Sequence, residues 1–263
     1  MRLARVAVLA GLVGIVSTNA EAIPVLQLDM SGGSYDSRSQ TVVAGGDQFT
    51  LYAMFQPRSD WSAADINWFL SNTFYLSVAL TPSIGANAAN LGSFSFGQSG
   101  GAQTTVGVTG DMVYGTPPLE AFAVMQGYDN GDLEGHGIFP TYFREFAFKF
   151  DPLARAAAYD SAVIQGGPTA DPNGNAYYVA FTGDKSLLQD GYDLHFDLYS
   201  TLVKNCGTAG YASCGDVDID LNASFTRDAE TRQSVPEPAT GLVMMVGAAA
   251  AAFVRRRGVE SAS

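Results

Sequence analysis

Charged side chains, histidine and cysteine are scarce in this chain of 263 residues. Asp, Glu, Lys and Arg make up 15% of the sequence, against about 25% in soluble globular domains. Two His and two Cys give little support to a zinc site. The 14 basic residues are outnumbered by 26 acidic ones and cluster only at the chain ends, which argues against nucleic acid and anionic membranes as partners. With 47% hydrophobic residues, the composition argues against disorder and favours an exported β-rich domain.

The N-terminal residues have the order of a secretory signal peptide. Two arginines precede an apolar run over residues 6–16, and the small residues Ala20 and Ala22 follow it. An apolar run of this length is too short to cross about 30 Å of hydrocarbon as a helix, so it does not predict a permanent anchor. We therefore predict export, with cleavage after Ala22.

The C-terminal residues combine a proline-flanked motif, an apolar stretch and an arginine cluster. The motif residues are Pro236, Glu237 and Pro238, and the cluster is Arg255, Arg256 and Arg257. The apolar stretch is short for a permanent span, so we expect transient association with the inner membrane, with the arginines in the cytoplasm. The predicted parts of the chain are a signal peptide (1–22), a body (23–230), a linker with the motif (231–238), a sorting helix with its arginine stop (239–257) and a cytoplasmic tail (258–263).

The string VPEPAT, the apolar segment and the RRR cluster together resemble the PEP-CTERM sorting signal of Gram-negative bacteria. The resemblance implies that exosortase, a membrane protease-transpeptidase, recognises the Pro-Glu-Pro segment and cuts near it. The protein would then pass from an inner-membrane precursor to the cell surface or the extracellular polymeric matrix. Exosortase is thus the expected processing partner, and exopolysaccharide is a candidate partner of the mature protein.

Several segments of the body resemble the choice-of-anchor surface proteins, most nearly their class N. These segments are QLDMSGGSYDSRSQTVVAGGDQFTLYA, FYLSVALTP, HGIFPTYF, GYDLHFDLY and NASFTRDAE. Members of that family join one body to alternative sorting tails, and the family has no assigned biochemical activity. The resemblance therefore implies surface display and supplies no catalytic residue.

Short alternating segments separated by Gly, Pro, Asn and Asp dominate the body. In the clearest segment, Asp193, His195 and Asp197 share one face, interpreted as solvent-facing, and apolar residues form the other. Further predicted strands are 48–55, 74–80, 93–96, 104–108, 121–126, 145–150, 177–181 and 216–223. Helical patterns are confined to residues 61–72 and 153–159. Because strands follow one another with few helices between them, we predict a mostly β fold, a single antiparallel β-sandwich or jelly-roll-like domain.

The two cysteines, Cys206 and Cys214, are eight positions apart around a glycine-containing segment. A loop of this size closes readily in an oxidising compartment such as the periplasm, which is where the signal peptide would send the chain. We therefore predict a disulfide between them rather than a pair of metal-binding thiols.

An acidic, Gly-flanked loop over residues 128–136 is the strongest ligand-site candidate in the sequence. Asp129, Asp132 and Glu134 supply hard oxygen donors, which calcium prefers, and exported proteins meet high calcium concentrations. The loop departs from the EF-hand pattern in its spacing and lacks the distal bidentate Glu. Calcium is therefore the candidate cofactor, and a solvated acidic turn is the alternative.

The sequence predicts no catalytic residue. Gly97–Gly101 matches G-x-S-x-G, but the segment after Ser99 is rich in Thr and Val and indicates a strand, not the helix of a nucleophile elbow. His195 beside a carboxylate, or Glu134 with Asp132, has the groups for acid–base chemistry. The tyrosines that are candidates for stacking on sugar rings are Tyr128, Tyr142, Tyr177 and Tyr178. We predict a structural or adhesive surface or matrix protein, with a calcium- or glycan-binding module as the alternative and a polysaccharide hydrolase as the least favoured.

Overall fold

A computed structural model describes residues 25–126, 138–207, 214, 217–224 and 227–232. The predicted signal peptide, the acidic loop with Asp129, Asp132 and Glu134, and the chain from residue 233 onward lie outside the described residues. Within the described part, no helix is both long enough and apolar enough to span a membrane. The mostly β character predicted from the alternating segments is confirmed, because the described strands form two sheets.

The described strands and helices are short, and most strands follow one another without a helix between them. The strands are β1 (Leu26–Met30), β2 (Ser34–Asp36), β3 (Thr41–Gly45), β4 (Gln48–Phe55), β5 (Phe74–Thr81), β6 (Ser93–Gln98), β7 (Thr104–Gly107), β8 (Val113–Gly115), β9 (Thr141–Phe148), β10 (Arg155–Ala156), β11 (Ala176–Asp184), β12 (Asp193–Ser200) and β13 (Asp228–Arg232). The helices are α1 (Ala63–Ser71), α2 (Pro118–Gln126), α3 (Thr201–Cys206) and α4 (Ile219–Asn222).

The two sheets differ in their strand directions. The six-stranded sheet has the order β1-β4-β11-β6-β7, with β10 also paired to β11, and its described pairs are antiparallel. The seven-stranded sheet has the order β2-β3-β13-β12-β5-β9-β8. In it β13 runs antiparallel to β12 but parallel to β3. The prediction of purely antiparallel sheets is therefore wrong at one place, because the last described strand inserts between β12 and a strand from the start of the chain.

Aromatic rings pack the two sheets against each other. Phe49 and Phe96 of the six-stranded sheet lie 5.4 and 5.6 Å, centroid to centroid, from Phe196 of the seven-stranded sheet. Phe181 and Phe148 make a similar contact at 5.2 Å. All five side chains are buried, so the apolar faces of both sheets meet in a common core.

Helix α1 confirms one predicted helix and shows why it begins where it does. The Ser62 side chain accepts a hydrogen bond from the Asp65 amide, and the Asp65 carboxylate accepts one from the Ser62 amide. This reciprocal capping box satisfies donors that the first turn of a helix leaves unpaired. The buried residues of the helix, Phe69 and Leu70, then face the core.

Two predicted strands are helices in the structure. Residues 121–126 belong to α2, where Pro118 begins the helix, Glu120 lies in its first turn and good helix formers follow. Residues 219–222 form α4, where the Asp218 side chain accepts a hydrogen bond from the Asp220 amide. The first segment is a short apolar run and the second alternates apolar and polar residues, and the capping and first-turn residues decide in favour of the helix in both.

The predicted helix over residues 153–159 is also wrong. The Asp151 side chain accepts a hydrogen bond from the Leu153 amide at 2.8 Å, which closes a turn. Arg155 and Ala156 then pair with β11 as the short strand β10. Local side-chain bonding and an available sheet edge therefore outweigh the weak helical pattern.

Helices α2, α3 and α4 cover part of the outer face of the seven-stranded sheet. Phe122, Tyr199, Val203 and Ile219 are buried together in this second apolar cluster. A Cβ atom on Gly207 would lie 1.9 Å from the Pro118 carbonyl oxygen, so α2 and α3 can approach this closely only with glycine there. The part of this face around Tyr199 is consequently an interior surface.

Candidate functional site

The disulfide predicted from the cysteine spacing is present in the structure. Cys206, at the end of α3, is bonded to Cys214, and both residues are buried in the second apolar cluster. The bond ties α3 to the segment that leads into α4. Its place in an apolar cluster indicates a structural cross-link.

Strands β12 and β13 bring four ionisable side chains together on the outer face of the seven-stranded sheet. His195 and Asp197 project from β12, and the register that pairs His195 with Glu230 adds Asp228 and Glu230 from β13. The Nε2 atom of His195 lies 3.1 Å from Asp197 Oδ1 and 3.6 Å from Asp228 Oδ2. Its Nδ1 atom lies 3.6 Å from Glu230 Oε2. We call these four residues the histidine cluster.

Burial of the histidine cluster contradicts the solvent-facing interpretation of this side of β12. The side chains of His195, Asp197 and Asp228 are only 1–2% exposed. Helices α2 to α4 pack on the same face, and the Phe139 ring lies 6.3 Å from the imidazole. Charged groups are buried at this depth only when they are paired or bind a cation.

The electrostatics of the histidine cluster favour a positive charge between its carboxylates. Burial by itself lowers the pKa of His195, but Asp197, Glu230 and Asp228 outweigh it and raise that pKa well above its usual value. Burial by itself raises the pKa of Glu230, but interactions with His195 and Arg232 outweigh it and hold that pKa below its usual range. Among the described residues, Asp197 Oδ2 is buried and has no hydrogen-bond partner.

The outer face of the six-stranded sheet carries a polar cleft of about 420 Å³. Its lining is Ser31, Gln48, Phe49, Thr50, Ser95, Gln103, Thr182, Gly183 and Asp184. Hydrogen bonds from Ser186 and from Gln48 hold the pKa of Asp184 below its usual range, so the cleft contains a carboxylate among hydroxyls and amides. We call this feature the polar cleft.

A separate network fastens a loop to the same sheet near β1. The Tyr159 hydroxyl and the Gly167 amide, the latter at 2.8 Å, both donate to Asp29 Oδ2. Gln27 donates to the Tyr159 carbonyl and accepts from the Ser161 amide. Burial raises the pKa of Asp29 despite these hydrogen bonds, which lower it. Gln27 and Asp29 are the two polar residues of the otherwise apolar strand β1, LQLDM, and they are the sequence feature that indicates a buried polar network.

The structure also places the other residues considered for chemistry. Ser99 lies in the turn between β6 and β7, where Gly100 has a positive φ of 76°, so the strand predicted after Ser99 is confirmed. Tyr142 and Tyr177 are buried, which removes them as stacking platforms for sugars. Tyr178 is half-buried on the outer face of the six-stranded sheet, on the same side as the polar cleft.

Comparison with protein families supports the sorting motif predicted from the C-terminal residues. A family described as the PEP-CTERM protein-sorting motif matches residues 234–257. That range contains Pro236, Glu237 and Pro238 and the arginine cluster. Comparison with curated proteins and with solved structures finds no match, and the choice-of-anchor resemblance of the body stays a prediction. The chain carries a PEP-CTERM sorting motif, which points to an exported surface protein processed by exosortase.

Proposed function

We propose that this protein is a structural or adhesive component of the surface or extracellular matrix of a Gram-negative bacterium. The sorting motif at residues 234–257 is the observation that carries the proposal. Export begins with the signal peptide that ends at Ala22, and the inner membrane holds the precursor until exosortase acts. The displayed part is then the body over residues 23–230, for which we propose a jelly-roll-like sandwich.

The position of the last described strand supports processing at the motif. Strand β13 ends at Arg232, and the matched segment begins at residue 234. Because β13 lies between β3 and β12 inside the sheet, cleavage upstream of it would remove an interior strand. Cleavage near Pro236–Pro238 leaves every described strand in the mature protein.

Replacing Glu237 by Ala tests the sorting proposal. Loss of the carboxylate in the Pro-Glu-Pro segment should leave the precursor uncut and retained in the membrane fraction. Glu260→Ala is the matched control, because Glu260 also lies in the tail but beyond the matched segment. Fractionation followed by intact-mass measurement checks both variants. Normal processing and normal release of the Glu237→Ala protein would contradict the proposal.

Glycan binding is a second candidate function, and the polar cleft favours it. Sugar hydroxyls pair with the side-chain types that line the cleft, namely hydroxyls, amides and the Asp184 carboxylate. Tyr52 and Tyr178 continue the same face of β4 and β11, with ring centroids 6.5 Å apart. An extended, mostly polar face with adjacent rings suits a polymer chain better than a small enclosed substrate.

Thr182→Tyr tests glycan binding by filling the polar cleft with a ring. Wild-type protein should co-sediment with the polysaccharide purified from the bacterial matrix, and the variant should lose most of that binding. Leu202→Tyr is the control, since Leu202 is 43% exposed on α3, which packs on the other sheet. If wild type and Thr182→Tyr co-sediment equally, or if neither does, the cleft is not a glycan site.

The acidic loop remains a separate proposal for calcium. Asp129, Asp132 and Glu134 carry three negative charges within six positions, and a hard cation would offset their repulsion. Calcium titration of the purified protein tests this proposal, with the heat of binding and the melting temperature as readouts. The double variant Asp129→Ala/Asp132→Ala is the comparison. An unchanged calcium response in the double variant would contradict it.

A further inference from the structure

We infer that His195, Asp197 and Asp228 of the histidine cluster form a three-ligand binding site for a divalent transition-metal ion, with zinc as the best match. One imidazole nitrogen and one oxygen from each carboxylate lie within 4.8 Å of one another. All three residues come from β12 and β13, whose pairing is fixed by the register of Phe196 with Ala229. The donors are therefore preorganised by the sheet rather than by a flexible loop.

The spacing of the donors fits an ion placed between them. With metal–ligand distances of about 2.0–2.2 Å and tetrahedral geometry, neighbouring donor atoms are roughly 3.4 Å apart. The Nε2 atom of His195 lies 3.1 Å from Asp197 Oδ1 and 3.6 Å from Asp228 Oδ2. Both distances are close to the separation that a tetrahedral ion requires.

Asp197 gives an independent indication that a cation belongs in this cluster. Its side chain is 1% exposed, and within the described part of the chain its Oδ2 atom accepts no hydrogen bond. Four residues earlier on the same face, Asp193 is only 2.9 Å from the ammonium of Lys185. A buried carboxylate oxygen without such a partner is costly, and a bound metal ion would satisfy it.

Glu230 completes the arrangement typical of a metal-bound histidine. Ligating histidines usually direct their second ring nitrogen at a carboxylate, which fixes the tautomer and the ring orientation. Here the Nδ1 atom of His195 faces Glu230 Oε2 at 3.6 Å, and Arg232 Nε holds the other Glu230 oxygen at 3.1 Å. Glu230 is thus a positioning residue that leaves Nε2 directed at the two aspartates.

The donor set distinguishes this site from a calcium site. Calcium takes six to eight oxygen ligands, whereas an imidazole with carboxylates suits zinc and its neighbours in the first transition row. The ion would tie β13, the last described strand before the sorting segment, to β12.

Metal content and metal titration of the purified full-length protein test the inference. After removal of metal with a chelator, zinc should bind at one equivalent, and the melting temperature should rise by several degrees. Asp197→Asn should weaken zinc binding at least about 100-fold, and Glu230→Gln about 10- to 100-fold. Asp190→Asn, an exposed carboxylate outside the cluster, is the control and should bind zinc like wild type.

Two further measurements keep the test decisive if Asp197→Asn does not fold. The cobalt-substituted wild-type protein should show the visible absorption of a nitrogen- and oxygen-ligated ion, and ¹⁵N spectra of labelled histidine should show one imidazole bound. His136→Gln assigns that imidazole to His195 if the signal persists, because the chain has two histidines. Any one of three results would overturn the site. Wild type binds neither zinc nor cobalt, His195 keeps protons on both nitrogens with zinc present, or folded Asp197→Asn binds zinc with unchanged affinity.

Discussion

Asp29 shows how one buried carboxylate can hold a surface loop against a sheet. The Tyr159 hydroxyl and the Gly167 amide both donate to the same Asp29 oxygen, and the Met30 amide donates to the other at 2.7 Å. Burial nevertheless raises the pKa of this carboxyl above its usual value. In the folded protein Asp29 therefore binds a proton more tightly than it does in the unfolded chain, where its pKa is about 3.9.

We predict that Asp29→Asn changes the pH dependence of stability in a defined direction. Because the folded-state pKa is raised, the folded form holds more protons than the unfolded form just above pH 4, and the stability due to Asp29 falls as the pH rises. The stability of wild type minus that of Asp29→Asn should therefore increase from pH 7 to pH 4.5. Urea unfolding at both pH values checks this. A difference that shrinks on acidification would contradict it.

Tyr159→Phe is the informative companion variant because its effect has the opposite pH trend. The Tyr159 hydroxyl favours the ionised carboxylate and so lowers the pKa of Asp29. Its loss should destabilise the protein by about 1.5–3 kcal/mol at pH 7, the usual size for a hydrogen bond to a charged group, and by less at pH 4.5. Tyr178→Phe, on the same sheet face, should have little effect at either pH.

At the level of elements, the alternating pattern predicts the strands well and the short helices poorly. Strand β4 has the predicted bounds Gln48–Phe55, because a half-buried antiparallel strand alternates apolar and polar residues. Residues 121–126 contain an equally apolar run but form part of α2, which Pro118 initiates. A short apolar run is compatible with a strand and with a helix. The residue at which the element begins, here Pro118, therefore decides between the two.

The histidine cluster was partly visible in the sequence. The period of two places His195 and Asp197 on one side of β12, as predicted. Asp228 and Glu230 join them only because β13 inserts between β12 and β3, a pairing of distant segments that local patterns do not encode. The burial of His195, Asp197 and Asp228 is likewise not encoded in the local pattern, because alternation by itself indicates a solvent-facing polar side.

For the molecule as a whole, acidic residues dominate the electrostatics. Residues 23–235 contain nine basic and 23 acidic side chains, a net charge of −14. Some of the cations are already committed to buried or half-buried contacts, such as Lys185 with Asp193 at 2.9 Å and Lys204 with Glu145 at 2.8 Å. Repulsion among the remaining surface carboxylates therefore opposes the compact state at low ionic strength.

We predict that sodium chloride stabilises this protein. Raising its concentration from 0.01 to 0.15 M shortens the Debye length from about 30 to about 8 Å, which screens the repulsion between surface carboxylates. In metal-free buffer the melting temperature should rise by roughly 2–4 °C, the shift that about 1 kcal/mol produces in a domain of this size. Asp190→Lys, at an exposed position, should melt higher than wild type in low salt and gain less from added salt, because its net charge is less negative. A melting temperature that falls with salt, or an equal gain in both proteins, would show that surface repulsion does not limit stability.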